Sequence, residues 1–376
     1  MKVEWKKLGE VCKVSNGERP VSEILENGRY PYINAGRTNS GFLNEYNSKG
    51  GAVTTPSHGE GGIGSVLYQN SEFWCGALCY RMYTYSGINN RFLFHYLSNN
   101  SEAIISCKNT GGQPYINRKQ LENIKIPIPS LSEQERIVGI LDTFTSAIDN
   151  LKEQIAQRRK QYEYYRDQLY YASKTDLLEA SRNGNAIVKS LDELGKFTRG
   201  RRFVRTNIVP EGVPCIHYGD MYTYYGVSAE ETPTHLTKEL SSKLRFAKNG
   251  DVIIVAAGEN DLDIGVGVAW LGKEPVVVHD ACFIFEHKMN PKYLSHFMRS
   301  RNYHQQIRMG VVDGKICSIS AKELGRALIA VPSLQEQQRI VSILDTFEAS
   351  IQNLEDQLKL REKQYEYYRN KLLTFE

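Results

Sequence analysis

Basic and polar residues gather in a few short stretches of this sequence, and their types suit contact with a polyanion. The densest is Arg199-Gly-Arg-Arg-Phe-Val-Arg205, which places Arg199, Arg201, Arg202 and Arg205 within seven residues. An arginine fork fits a phosphate or the acceptor edge of a guanine. The corresponding stretch of the first half is Asn16-Gly17-Glu18-Arg19. A second pair follows a shared Pro-x-Ile element: Asn34, Arg37, Thr38 and Asn39 after Pro31, and His217, Tyr218, Asp220 and Tyr222 after Pro214. Asn and Arg can make bidentate base contacts, worth about 1–3 kcal/mol of discrimination each. Ser57-His58-Gly-Glu60 stands against Gly258-Glu259-Asn260-Asp261. Thr110-Gly-Gly-Gln113 stands against Gly310-Val-Val-Asp-Gly-Lys315, with Gln113 and Lys315 as the candidate contacts. Each stretch has a bland alternative: a solvated basic turn, ordinary loop polarity, or glycines required by turn chemistry.

Signals for catalysis are weak. Gly59-Glu-Gly61-Gly-Ile-Gly64 matches G-x-G-x-x-G, but the following Ser65-Val-Leu-Tyr68 reads as strand where a nucleotide loop needs a helix. No Walker A loop and no H-E-x-x-H is present. His95 and His296 sit in apolar helical contexts and read as satisfied core histidines. The seven cysteines are irregularly spaced and read as reduced thiols, with no zinc or other metal site.

The loops need a frame, and the frame is written twice. Residues 129–169 and 332–372 are identical at 26 of 41 positions, at a constant offset of 203 and without a gap. In each copy Ser-x-x-Glu (Ser130 with Glu133, Ser333 with Glu336) precedes an apolar pattern, as in a helix capping box. The apolar seam then runs Ile137, Leu141, Phe144, Ile148, Leu151, Ile155, Arg158, Tyr162, Tyr165, Leu169. The second copy runs Ile340, Leu344, Phe347, Ile351, Leu354, Leu358, Arg361, Tyr365, Tyr368, Leu372. Spacings of four and three alternate throughout, the 3.5-residue period of a coiled coil. Each helix of about 40 residues predicts a rod of about 60 Å. Two rods with matching seams should pack together, and the antiparallel arrangement is expected because each follows one globular segment. Arg158 and Arg361 read either as a polar layer fixing register or as guanidinium groups snorkelling past the seam.

Elsewhere the chain reads as strand and loop. Residues 251–256, 266–270 and 276–285 are expected strands, 90–100 and 291–305 expected short helices, and 172–186 a linker. The expected organisation is a first globular domain over 1–128, a helix over 129–171, the linker over 172–186, a second globular domain over 187–331 and a second helix over 332–376. The fold class is α+β with a pseudo-two-fold internal repeat. Composition is that of a globular protein, 41% hydrophobic and 24% charged. Net charge is +4, and its excess lies in residues 1–125 (+4) and 186–326 (+3), while the helical segments are slightly acidic. No apolar run of about 18 residues predicts a membrane span. The first twenty residues lack the apolar core of a secretory signal, so a cytoplasmic location is expected.

Taken together, these features resemble the specificity subunit of type I restriction–modification systems. The resemblance spans essentially the whole chain. It rests on two recognition segments, each followed by a nearly repeated helix, and on the phrases GGQPYINRKQLENIKIPIPSLSEQERIVGILD (111–142) and KELGRALIAVPSLQEQQRIVSILD (322–345). The openings Leu8-Gly9-Glu10-Val11 and Leu194-Gly195-Lys196-Phe197 add to it. The resemblance implies a non-enzymatic reader of double-stranded DNA, with one half of a bipartite target read by each recognition domain. It implies that the helices set the gap and dock two copies of a methylation subunit, joined by motor/nuclease subunits. S-adenosylmethionine, ATP and Mg²⁺ would belong to those partners, so no cofactor is expected on this chain. A methyltransferase would need an Asn/Asp-Pro-Pro-aromatic motif, and the Asn290-Pro291 pair is followed by Lys292. Rival readings are a coiled-coil adaptor that binds no DNA, and the recognition subunit of a type IIB-like enzyme.

Overall fold

Alternating apolar and polar residues build the sheets of the first half. In the computed structural model, which describes residues 3–109 and 111–375, Cys12–Asn16 turns Cys12 and Val14 inward and Lys13 outward. This strand pairs antiparallel with Cys79–Thr84, which pairs with Ala52–Pro56, which pairs with Leu67–Gln69. Ala52–Pro56 is buried along its whole length, as an inner strand requires. A three-stranded sheet sets Tyr30–Ile33 between Phe42–Leu43 and Trp74–Cys75. Glu4–Lys7 pairs with Lys125–Ile128, just before the first long helix. The helix Asn90–Asn99 starts at Asn89, whose side chain accepts from the Arg91 and Phe92 N–H groups. It delivers Phe92, Leu93 and Leu97 into a core with Val14, Val53 and Met82.

The second half repeats this plan with larger sheets. Five strands run in the order Gly195–Arg199, Cys282–His287, Val252–Val255, Gly267–Trp270, Ser228–Ala229. Four more run His235–Leu236, Val213–Ile216, Val276–Val278, Phe246–Ala247. The strand expected over 276–285 is therefore two strands in two sheets, broken at His279-Asp280-Ala281. The helix expected over 291–305 is also two, Pro291–Phe297 and Arg301–Ile307, because Ser300 caps a new helix by accepting from Tyr303 N–H. The stretch expected as a linker, 172–186, contains the helix Lys174–Arg182, capped by Ser173. The short helices Leu8–Val11 and Leu191–Leu194 are equivalent, because Leu8 N–H bonds to Ile124 O and Leu191 N–H to Ala327 O. The Leu-Gly phrases at 8 and 194 are thus three residues out of structural register.

The long helices are unbroken, Leu131–Leu169 and Leu334–Leu373, of 39 and 40 residues. Ser130 and Ser333 cap them by accepting from the N–H groups of Glu133 and Glu336. The two glutamates do not complete the box; each turns to an arginine one turn on, Arg136 or Arg339, at 2.7 Å. Compact units cut both helices: one comprises Met1–Glu153 with Asp356–Glu376, the other Gln154–Glu355. In the first unit Phe144 stacks on Tyr368 at 5.3 Å while Lys152 reaches Glu362 at 3.5 Å. In the second, Tyr165 stacks on Phe347 at 5.4 Å while Arg159 reaches Glu355 at 2.5 Å. Later residues of one helix meet earlier residues of the other, so the pairing within each unit is antiparallel.

Candidate nucleic-acid interface

In the second unit the break at His279 organises the site. It leaves His279 tied to the strand Val213–Ile216 through its N–H, on Ile216 O at 3.2 Å, and sets its ring 5.1 Å from Phe203, 4.7 Å from His217 and 5.4 Å from Tyr218. These rings, with Arg202, Val204, Arg205 and Asp280, line a cavity of about 350 Å³. A neighbouring cavity of about 230 Å³ shares Tyr218, His279 and Asp280 and adds Arg199, Gly258, Glu259 and Ile316. The basic stretch, the loop after Pro214, the loop at Glu259 and the turn beside Lys315 thus converge. Burial, with His279 beside it, holds His217 below the usual histidine range. Burial does the same to His279 against the pull of Asp280. Both are neutral at pH 7.

The four arginines divide into two kinds. Arg199 Nε donates to Asp280 O at 2.8 Å and Arg201 Nη1 to Lys243 O at 2.7 Å, so both tie loops together. Arg202 and Arg205 are exposed, and their side chains make no hydrogen bond or ion pair among the described residues. Asn260 accepts from Leu262 N–H and caps a short 3₁₀ turn, which accounts for its type without a ligand. Lys315 is exposed. The side chain of Tyr222 lies outside the described residues, as does Thr110.

The first unit brings its loops together with different chemistry. Arg37 Nε donates to Gly61 O at 2.7 Å, joining the 34–39 loop to the glycine-rich turn. His58 stacks on Tyr115 at 5.9 Å, and Gly59 N–H bonds to Pro114 O, which brings the Gln113 turn alongside. Arg19, Thr38, Asn39 and Gln113 are exposed. Asn34 is partly committed, because Asn34 Oδ1 accepts from Leu78 N–H at 3.0 Å. The glycine-rich turn leads into the strand Leu67–Gln69 and not into a helix.

Both units fasten their short helix to the long one in the same way. Gln134 and Gln337 are buried; each accepts from the N–H of the residue that caps the short helix, Asn89 at 2.8 Å or Asn290 at 2.9 Å. Each also donates back to the proline at its own helix start, Pro129 or Pro332. Asp142 accepts from Arg91 and meets His95 Nε2 at 2.7 Å. Asp345 pairs with Lys292 at 2.6 Å and meets His296 at 3.4 Å. His296 is completed by Tyr162 at 3.0 Å, whereas His95 Nδ1 is buried without a partner, so only one of the two histidines is fully satisfied. His296, Asp345 and Glu348 lie within reach of a common cation, but the positive charge beside Asp345 is already that of Lys292.

Along the helices Ile137, Leu141 and Ile148 are buried in the first unit, and Ile155, Ile340 and Leu344 in the second. Ile137 and Leu141 pack into the globular core of the first unit, Ile340 and Leu344 into that of the second. Leu151, Ile351, Leu354 and Leu358 are half-buried. Tyr165 and Tyr368 remain 48% and 41% exposed, so the seam is wet at its aromatic layers. Arg158 lies over Phe347 and Arg361 over Phe144, each also donating to a glutamine three residues on. This is stacking on an aromatic face. Tyr162 contacts Phe347 and Tyr365 contacts Phe144 in the same layers.

A family described as "Type I restriction modification DNA specificity domain" matches residues 2–158 and 183–361. The chain belongs to this family. A putative type I restriction enzyme specificity subunit of Haemophilus influenzae is 28% identical over 402 residues, covering 99% of this chain and 96% of the relative. The EcoR124I/EcoR124II specificity subunit of Escherichia coli is 28% identical over 402 residues, covering 100% and 95%. The crystal structure of a type I restriction–modification S subunit from M. genitalium shares the fold, with a TM-score of 0.67 at 17% identity over 100% of this chain and 97% of that one. The two family matches each take in one globular segment and the larger part of the helix after it. Among the described residues of this specificity-family chain, no helix is long and apolar enough to cross a membrane. All seven cysteines are unpaired and buried.

Several residues of the site carry no obvious sequence signal. His279 hides inside an apolar run, where only the His-Asp pair interrupts the expected strand. Phe203 and Tyr115 look like ordinary core or loop aromatics. Gln134 and Gln337 are legible only in retrospect, as polar residues held identical between the copies.

Proposed function

We propose that this chain is the non-catalytic recognition subunit of a restriction–modification complex, and that each unit reads one half of a bipartite double-stranded DNA target. The observation that carries this is the contrast inside the chain. Equivalent loops converge in each unit yet present different side chains, while the helices beside them are nearly identical. Rigid linkage of two weak sites raises affinity through effective concentration. The helices set the gap between half-sites, since about 58 Å of helix corresponds to somewhat under two turns of DNA.

Two copies of a methylation subunit are the partners this reading favours. Lys160, Glu163 and Tyr164 are exposed and match Lys363, Glu366 and Tyr367, which are exposed too. Packing of the seam does not require identity there, but two copies of one partner do. Motor/nuclease subunits complete the assembly, and S-adenosylmethionine, ATP and Mg²⁺ act on those subunits. The setting is the cytoplasm, where the target DNA is.

Selection from a random duplex library with the full chain and its co-purifying partners tests the reading. Two short motifs at one fixed spacing are expected. Deleting the equivalent heptads 152–158 and 355–361 should shorten that spacing by about three base pairs, from seven residues at about 1.5 Å each against about 3.4 Å per base pair. No enriched motif, in a preparation that contains a methylation subunit, would leave a protein-binding adaptor as the better reading.

A further inference from the structure

The cavity bounded by Phe203, His217, Tyr218 and His279 is walled by rings, and its charged lining is the guanidinium groups of Arg202 and Arg205 with the carboxylate of Asp280. Gly219 N–H donates to His217 Nδ1 at 3.3 Å. A neutral ring that accepts at Nδ1 carries its proton on Nε2. His217 has no other side-chain hydrogen bond among the described residues, so that Nε2–H is a donor without an acceptor. His279 is tied by the same logic: its Nδ1 accepts from Ala281 N–H at 3.1 Å. The guanidinium groups of Arg202 and Arg205, in the same lining, add only donors. Asp280 Oδ1 lies 3.2 Å from His279 Nδ1, which already accepts from Ala281 N–H, so the Asp280 carboxylate stays an acceptor in the lining, as the amino group of a guanine's paired cytosine would require. Asp220 accepts from the His217 N–H and from Thr234, both at 3.2 Å.

We infer that His217 is a base-reading residue whose Nε2–H donates to the major-groove edge of a guanine, with Arg202 or Arg205 supplying the second donor. Guanine is the base whose major-groove edge presents two acceptors, N7 and O6, and no donor. Adenine and cytosine each place an amino group there, which would face a donor. The inference deepens the DNA-reading proposal and rests on it.

The test uses the full chain with its co-purifying methylation subunit and the duplex it selects. The half-site read by the second unit should contain a guanine. Replacing that G·C pair by A·T should weaken binding of the unaltered chain about tenfold, the low end of a good base contact. In His217→Ala the same replacement should cost less than about threefold, while changes in the other half-site cost what they did before. His217→Phe, which keeps a ring in place and removes the Nε2–H, provides a second variant should the alanine chain fold poorly. An equal loss in altered and unaltered chains, or a loss in the variants that is uniform over all sequences as for a phosphate contact, would overturn the assignment of His217. If the unaltered complex enriches no motif at all, the DNA-reading proposal falls, and the assignment with it.

Discussion

Asn34 and His217 occupy the same place in their two units, each following a Pro-x-Ile strand that pairs in parallel with a second strand. In the first unit the neighbouring position is Gly76, and a Cβ there would lie 2.5 Å from Asn34 Oδ1. Asn34 therefore fills the space itself and closes the turn by accepting from Leu78 N–H. In the second unit the neighbour is His279, the rings stand apart, and a cavity opens between them and the arginines. One scaffold thus supports a closed polar knot in one half and an open, ring-walled pocket in the other. The parts that differ are those a loop can change without disturbing the sheet. The parts that agree, Gln134 and Gln337 above all, are those that bind the loops' scaffold to its helix.

Exchanging the two residues should break the comparison asymmetrically. Asn34→His forces a larger ring against Gly76 and deprives Leu78 of its acceptor. A loss of about 2–4 kcal/mol is expected from overpacking plus the lost bond, measurable as a fall in the urea midpoint. His217→Asn should cost much less, since asparagine can still accept from Gly219 N–H. The shared latch should behave symmetrically instead: Gln134→Ala and Gln337→Ala each strip the acceptor from a capping N–H and should each cost about 1–3 kcal/mol. Unequal losses in the same urea titration would mean the two latches are not equivalent.

Acid should separate the units again. His217, His279, His287, His296 and His304 are all held below the usual histidine range, chiefly by burial, and His287 is pushed down to about 4. The first unit has one such group, His95. A histidine depressed in the folded state contributes stability that is present above its unfolded pKa of about 6.5. That stability is lost as pH falls through the folded value. The second unit should therefore weaken sooner between about pH 6.5 and pH 4, seen as earlier proteolytic cleavage within 154–355 when digests at pH 7 and pH 5 are compared by fragment mass. The smallest effect is expected at the stacked arginines: Arg158→Met and Arg361→Met should each cost about 0.5–1 kcal/mol, in near-equal amounts if the two layers are copies.

The helices were the most legible part of the sequence, because a period of 3.5 sustained over forty residues leaves little else for the chain to do. Their capping serines were legible too, but not that Glu133 and Glu336 would prefer Arg136 and Arg339. Strand positions followed from apolar runs, and the failures came where a polar pair interrupts a run. His279-Asp280 splits one expected strand, and Ser300 splits one expected helix by capping a second. Within the site, Arg202, Arg205, His217 and Tyr218 are brought together, while Arg199, Arg201, Asn34 and Asn260 are occupied by backbone partners. Residue type alone cannot tell these groups apart, because an arginine tying two loops and an arginine facing solvent obey the same local preferences. Pairing with a distant carbonyl such as Lys243 O is decided only by the tertiary fold.

Leu8 and Leu373 lie in one hydrophobic core. The polypeptide leaves that core, builds the second unit and comes back to it, so its path is nearly a closed ring. A ring has no privileged starting point. Joining the chain before Glu4 to the chain after Leu373 and opening it in the exposed turn around Gly184 should reverse the order of the two halves along the chain while keeping the strand pairings, latches and aromatic layers described above. The order of the two globular segments along the chain would then be a convention of this chain and not a requirement of its architecture.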